Sequence, residues 1–307
     1  MAATGVRLLA AGDIRGIAGR LGVRPTKKLG QNFVVEQGSV RQIAALAEVR
    51  PGDVVLEVGP GFGSLTLALL EAVVEAAGPA SAVPVRRLVA VEIDPVLAGE
   101  LPRTIAERAP DVADQVTVLT ADALAVGENE LGAPSPTVLA ANLPYNVAVP
   151  VVLRLLAALP SLRRGVVMVQ AEVADRMCAG PGSRVYGVPS AKLAWYAAAK
   201  LAGTVPRSVF WPVPNVDSKL VAFTRRDPPP TTASRGEVFA VIDAAFGQRR
   251  KTLRAALAVW AGSPAKAEEA LRAAGVDPGA RGEALTVAEF ARIAQRGREA
   301  PSGHSSP

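Results

Sequence analysis

The chain has one cysteine, Cys178, and one histidine, His304, among its 307 residues. A single cysteine excludes an internal disulfide framework, and a single residue of each type excludes a Cys/His metal cluster. His304 lies in a terminal Ser/Gly/Pro stretch, so acid–base chemistry is left without a usable imidazole. Aromatic residues make up only 4% of a chain that is 50% apolar, so the core has to come from Ala, Val and Leu. That composition suits a buried parallel sheet covered by helices. No apolar run reaches the roughly 18 to 20 residues of a membrane span. The best candidate, VAVPVVLRLLAALP, is interrupted by Pro150 and Arg154, and the amino-terminal MAATGVRLLAAGDIRG is interrupted by Asp13 and Arg15. No signal peptide is read there. These absences predict a globular, cytoplasmic protein with no membrane partner and no bound metal.

Charge is present but unevenly placed. Residues 1–50 carry eight Lys/Arg against three Asp/Glu, residues 51–234 fifteen against seventeen, and residues 235–307 eleven against eight, within a net charge of +6. Basic ends around a slightly acidic middle attract a polyanion, because Lys and Arg displace the counterions of phosphates. The same charge also serves solubility, and alone it does not decide.

From residue 53 onward, short β-branched runs alternate with helical stretches: DVVLEV, LVAVEID, QVTVLT, TVLAANL and GVVMVQ. Between the first two lies SLTLALLEAVVEA, whose Leu65, Leu69, Ala72 and Val73 share a helical face. The pattern predicts a doubly wound α/β domain. Residues 78–87, GPASAVPVRR, read as a surface insertion, and RRDPPPTTASRG (225–236) as the end of one domain and a link to the next. The organisation expected is a flexible segment over 1–22, a large domain over 23–226, a linker over 227–236, a small helical domain over 237–298 and a disordered tail over 299–307.

The run VVLEV leads into Gly59-Pro60-Gly61-Phe62-Gly63-Ser64 and a helix. Glycines at a strand-to-helix turn let backbone approach a nucleotide-like ligand closely. A dinucleotide fingerprint needs a third glycine where Ser64 stands, so no pyrophosphate cradle is indicated. Glu92 closes the second strand run, where a carboxylate can accept from both ribose hydroxyls; Asp122 follows the third, where it can accept from an adenine amine. Singly, Glu92 reads as a helix-start acid and Asp122 as an N-cap. Together, one acid at the end of each strand beside a GxGxG turn favours S-adenosylmethionine.

The next strand ends in Asn142-Leu143-Pro144-Tyr145. The exocyclic nitrogen of adenine is a poor nucleophile because its lone pair is delocalised into the ring. Donation of its N–H groups to the Asn142 side-chain oxygen and the Leu143 carbonyl would draw it toward tetrahedral geometry. Pro144 fixes the backbone that presents that carbonyl, and the Tyr145 ring offers a stacking surface for an extruded base. The other reading is an Asn-X-Pro turn with a core tyrosine.

At these residues the chain resembles the ribosomal RNA adenine N6,N6-dimethyltransferases, in particular the bacterial 16S enzymes. The resemblance runs over residues 22–295 and is carried in order by KKLGQNF (27–33), LEVGPGFGSLT (56–66), VEID (91–94), ADAL (121–124), NLPY (142–145), VQAEVADRM (169–177), FWPVPNVDSKLV (210–221) and QRRKTLRAAL (248–257). It implies a class I S-adenosylmethionine methyltransferase fold, a Rossmann-like sheet of seven strands, with a small carboxyl-terminal helical domain. It implies cofactor contacts at Asn32, Val34, Gly59, Gly61, Glu92, Asp122 and Asn142, and Phe210 as a second ring near the target base. The implied reaction dimethylates two adjacent adenosines in the 3′-terminal hairpin loop of 16S rRNA, within a small-subunit precursor, with the enzyme acting as a monomer. Val34 stands where the family usually has Leu, and Gly59 lies 33 residues before Glu92, against the roughly 20 usual in nucleotide folds.

Two basic clusters are expected to meet the RNA. Lys27 and Lys28 precede GQNF, where the resemblance puts the cofactor lid, and Arg249, Arg250, Lys251 and Arg254 lie within six positions of one another. A run of the latter kind is otherwise a solvated helix face. Three rivals remain: the related 23S methyltransferases of macrolide resistance, a non-catalytic RNA-binding assembly factor, and, weakest given Ser64 and no histidine acid, a nicotinamide dehydrogenase.

Overall fold

A computed structural model describes residues 5–24, 32–77, 87–144 and 146–299. Contacts group the chain into two units, one running to Ala174 and resuming over Ala199–Arg225, the other comprising Asp175–Ala198 and the chain from Arg226 onward.

The first unit is built on the strands β1 (Phe33–Val34), β2 (Val54–Val58), β3 (Arg87–Glu92), β4 (Val116–Thr120), β5 (Val138–Asn142), β6 (Arg164–Gln170), β7 (Ala197–Val205), β8 (Phe210–Trp211) and β9 (Ser218–Arg225). Seven of them form one sheet in the order β4-β3-β2-β5-β6-β9-β7. Strands β2 to β6 are parallel and β9 is antiparallel to β6. All five residues of β2 are buried, as expected where helices cover both faces of a parallel sheet. The covering helices are α1 (Ala11–Leu21), α2 (Gln37–Leu46), α3 (Ser64–Ala77), α4 (Pro95–Arg108), the short α5 (Glu128–Leu131) and α6 (Ala148–Ala158). In α3, Leu65, Leu69 and Val73 of the stripe read from the sequence are buried and Ala72 is half-buried, while Leu67, Ala68 and Leu70 are buried beside them.

From β2 the chain builds outward through β3 and β4, then returns to lay β5 on the other side of β2. Strand order therefore reverses between β2 and β5, and a crevice opens there at the carboxyl ends of the strands.

The flexible segment expected over 1–22 is corrected for the residues described. Residues 11–21 form α1, which buries Ile14, Ile17 and Ala18. Asp13 accepts from the Ala10 N–H at 2.8 Å, and Gly22, at φ 65°, closes the helix with its N–H on the Gly19 carbonyl. Only glycine adopts that left-handed conformation without strain. Of the insertion expected over 78–87, residues 78–86 lie outside the described residues and Arg87 opens β3.

The second unit comprises the end of α7 (Ala171–Cys178), α8 (Val188–Tyr196), α9 (Arg235–Gly247), α10 (Leu253–Ala256), α11 (Ala258–Ala261), α12 (Pro264–Ala273) and α13 (Val287–Glu299). Val238, Val241, Ile242, Leu253, Leu271 and Phe290 form its core. The expected boundaries are corrected here too, because the unit recruits residues 175–198 from the middle of the chain. Tyr186 shows why: it is buried, donates its hydroxyl to the Leu285 carbonyl at 2.8 Å and packs against Phe246 at 5.7 Å. The expected linker is instead tied down. The Thr231 hydroxyl bonds the Gln295 side chain at 3.3 Å, and Ser234 caps α9 through the Glu237 N–H. Glu299 is still helical, and 300–307 lie outside the described residues.

Candidate active site

The glycine turn after β2 stands at the crevice. Gly59 and Gly61 take φ values of 71° and 58°, the left-handed region that disfavours a Cβ. Gly59 donates its N–H to the Val91 carbonyl at 2.9 Å, which ties the turn to β3. At Gly61 a Cβ would also lie 2.9 Å from the Phe33 ring, and at Gly59 it would face the Asn142 carbonyl at 3.5 Å. Main chain is therefore bare where the turn meets the crevice.

Glu92 ends β3 and is 6% exposed. Its Oε2 accepts from the Gly61 N–H and its Oε1 from the Asp94 N–H, each at 3.0 Å. Burial pushes the carboxyl above its ordinary range, and the two N–H bonds pull partly back. The helix-start role falls to Asp94, whose Oδ1 accepts from the Val96 N–H at 2.9 Å. Asp122 is exposed, and its Oδ1 accepts from the Leu124 N–H at 2.9 Å; it closes a turn rather than capping a helix.

Asn142 ends β5 and donates its Nδ2 to the Asn32 carbonyl at 3.1 Å. Only the amide nitrogen can donate, so this bond fixes the side chain with Oδ1 as its remaining acceptor. Leu143 gives its N–H to the Met168 carbonyl at 3.0 Å, and among the described residues no N–H takes the Leu143 carbonyl. The Pro144 carbonyl accepts from Ala148 at 3.1 Å and so starts α6. Strand β1 pairs antiparallel with β8, setting Phe33 opposite Trp211 and Val34 opposite Phe210.

Asn32, Gly59, Gly61, Glu92, Asp122, Asn142, Leu143, Pro144 and Phe210 line one cavity of about 200 Å³. Val34 does not line it; buried, it holds Phe210 through the strand pair. Tyr145, Lys27 and Lys28 lie outside the described residues. Arg249, Arg250 and Lys251 fall on the turn between α9 and α10, and Arg254 alone is helical, so the four do not share one helix face. Sequence reasoning passed over the apolar walls Phe33, Ile93, Leu97, Leu124 and Val147. Ile93 is 56% exposed and Leu124 37%, and exposed aliphatic groups at a cavity mouth suit the faces of a planar base.

Among the described residues the lining contains two carboxylates and no Lys or Arg. Such a cavity disfavours a phosphate and suits a nucleoside carrying positive charge. Among the described residues no group of three or more His, Cys, Asp or Glu could hold a metal, and no helix is long and apolar enough to cross a membrane.

The family profile for ribosomal RNA adenine dimethylases matches residues 23–298. The chain belongs to that family. As a ribosomal RNA adenine dimethylase it takes S-adenosylmethionine as cofactor, and the donor set fits: bare glycine backbone, a buried carboxylate and, among the described residues, no cationic side chain. Among curated relatives, the chain is 65% identical to the ribosomal RNA small subunit methyltransferase A of Kineococcus radiotolerans, over 94% of this chain and 91% of that one. It is 62% identical to the protein of the same name from Thermobifida fusca, over 94% and 96%. Among solved structures it is similar to the 23S rRNA methyltransferase ErmE, with 26% identity, a TM-score of 0.61 and coverage of 86% of this chain and 99% of that one. A dimethyladenosine transferase from Plasmodium falciparum, 22% identical over 84% of this chain and 94% of its own, shares the fold at a TM-score of 0.67.

Proposed function

We propose that this adenine dimethylase converts two adjacent adenosines in the 3′-terminal hairpin loop of 16S rRNA to N6,N6-dimethyladenosine, acting as a cytoplasmic monomer on a small-subunit precursor. The observation that carries the chemistry is the Asn142 side chain. With Nδ2 committed to the Asn32 carbonyl at 3.1 Å, Oδ1 is the acceptor left for an amine in the cavity.

Bound S-adenosylmethionine supplies an electrophilic methyl on a sulfonium. Glu92 holds the ribose hydroxyls, the Asp122 carboxylate and neighbouring backbone take the adenine edge, and Ile93 and Leu124 cover its faces. On the substrate side, the adenine amine donates one N–H to Asn142 Oδ1 and the other to the Leu143 carbonyl, which localises its lone pair. Phe210 stacks on the base, and Tyr145 is assigned the opposite face. The amine gains the methyl and gives up one proton to water, so after one transfer the nitrogen keeps a single N–H, enough to hold one acceptor and present the lone pair again. Catalysis is then mainly orientation, and no general base is needed before transfer. Lys27 and Lys28, and the Arg249–Lys251 turn with Arg254, are assigned to RNA phosphates.

The test is labelled-methyl transfer to small-subunit particles, large-subunit RNA and free adenosine side by side. Four methyls per small-subunit particle are the expected result. Methylation of a large-subunit adenosine alone would move the reading to the macrolide-resistance type. Asn142→Ala should lower turnover on particles by more than it lowers cofactor affinity, measured by single-turnover kinetics and calorimetry. Full turnover in that variant would remove Asn142 from the site.

A further inference from the structure

The two ends of the cavity are joined by three consecutive residues, Asn32 to Val34. On the cofactor side, the Phe33 ring lies where a Gly61 Cβ would come within 2.9 Å. The Gly61 N–H is in turn the donor to Glu92 Oε2. The ring also packs on Phe62 at 4.4 Å and Trp211 at 6.4 Å between centroids. On the base side, the Asn32 carbonyl fixes the Asn142 amide and Val34 is the strand partner of Phe210. A sheet of two strands, each two residues long, has little stability of its own.

We propose that Phe33 is a positioning residue that couples the two halves of the site. Its ring seats β1 on the Gly61 turn, and β1 in turn orients Asn142 and holds Phe210, so that cofactor and target base bind with positive cooperativity. Whichever ligand arrives first bears the ordering entropy of the ribbon, and the second then binds an ordered site. Linkage makes the effect reciprocal. The proposal rests on the function proposed above.

The test measures binding of S-adenosylhomocysteine, the methyl-free product, by calorimetry, with and without saturating small-subunit particles. The full chain is expected to bind it at least about fivefold more tightly in the presence of particles, the lower end of ordinary allosteric coupling. Phe33→Ala should bring that ratio to one, whereas Phe33→Leu, which keeps apolar bulk over Gly61, should retain most of it. Equal weakening of both affinities in Phe33→Ala, with the ratio unchanged, would reduce Phe33 to a wall of the cavity and overturn the proposal. A second measurement needs no RNA. The chain has three tryptophans, so Trp195→Phe with Trp260→Phe leaves Trp211 as the reporter. Saturating S-adenosylhomocysteine should shift its emission when Phe33 is present and not in Phe33→Ala. An unchanged emission in the Phe33 protein overturns the coupling. A normal shift with small-subunit particles left unmethylated overturns the functional reading instead.

Discussion

Two carboxylates at opposite edges of the same sheet are equally buried, Asp53 and Glu92 both at 6% exposure, and differ in what meets them. At the amino edge, Asp53 is saturated. Its Oδ1 accepts from the Thr137 hydroxyl at 2.8 Å, its Oδ2 from the Arg50 N–H at 2.8 Å, and Arg164 completes an ion pair. At the carboxyl edge, Glu92 is met by backbone N–H groups, Gly61 on Oε2 and Asp94 on Oε1 foremost, and, among the described residues, by no cation. A buried charge without a counter-charge is costly unless something else completes its shell. The edge where the fold pairs its charges is the edge that holds the fold, and the edge left short of partners is the one at which the cofactor site is proposed.

The largest effect expected from breaking this contrast is in Asp53→Ala. Arg164 would be left 13% exposed with no carboxylate, a loss of about 3 to 5 kcal/mol for a broken buried pair. Denaturant unfolding should show it, with S-adenosylmethionine affinity unchanged in the folded protein. A variant of normal stability would show that the amino edge is not a clamp.

A third carboxylate sharpens the comparison. Glu57 in β2 is fully buried and accepts only the Thr66 hydroxyl, at 2.6 Å; its Oε1 has no partner among the described residues. Burial pushes its carboxyl up to about 8, and the neighbouring Glu92 charge pushes the same way. Between the ordinary carboxylate range and pH 8 the unfolded chain has lost this proton while the folded chain keeps it. Stability from this group therefore falls as pH rises through that window, by on the order of a few kcal/mol. Glu57→Gln should flatten the slope and raise the melting temperature at pH 8. An unchanged slope would mean that Glu57 is already ionised in the fold.

Next in size is Glu92→Ala. Loss of a charged acceptor for the ribose hydroxyls should cost about 1.5 to 3 kcal/mol of cofactor affinity. Thermal stability should hold or rise, because an uncompensated buried carboxyl is removed. Calorimetry and melting together make the check, and a large drop in melting temperature with intact affinity would place Glu92 with Asp53. Since burial raises the Glu92 carboxyl, affinity in the parent protein should decline with acidification at a higher pH than an ordinary glutamate would give.

The same contrast explains what could be read from the chain. That the glycine turn, Glu92, Asp122 and the Asn142–Pro144 segment stand out was legible because each carries a local chemical demand, a positive φ or a polar group at the end of an apolar run, and they line one cavity. The strands were legible because a sheet buried on both faces needs continuous β-branched runs. Helix α1 was not, since Leu8, Leu9, Ile14 and Ile17 become apolar anchors only once a partner surface exists to bury them. Nor was the share of residues 175–198 in the second unit, because Tyr186 meets Leu285 across 99 positions. Phe33 was passed over because its work is packing against a glycine, which leaves no polar signature in sequence.

The smallest effect concerns cations in the second unit, where paired and unpaired groups again stand side by side. Arg249 is bound to Glu283 at 3.1 Å and also donates to the Arg184 carbonyl, and Arg254 lies 2.9 Å from Glu268. Arg250 and Lys251 are exposed, with no ion pair among the described residues. A guanidinium already facing a carboxylate brings less net charge to a phosphate, whereas an unpaired cation displaces close to one counterion. Each phosphate neutralised contributes roughly 0.7 to 0.9 to the slope of log affinity against log salt concentration. Arg250→Glu with Lys251→Glu should therefore weaken binding to small-subunit particles and flatten that slope by up to about 2. Arg249→Glu or Arg254→Glu alone should change it less. Salt titrations of particle binding decide the matter: equal slope changes at all four positions would mean that the acidic partners let go on docking, and no change at Arg250 and Lys251 would leave that turn a solvated surface.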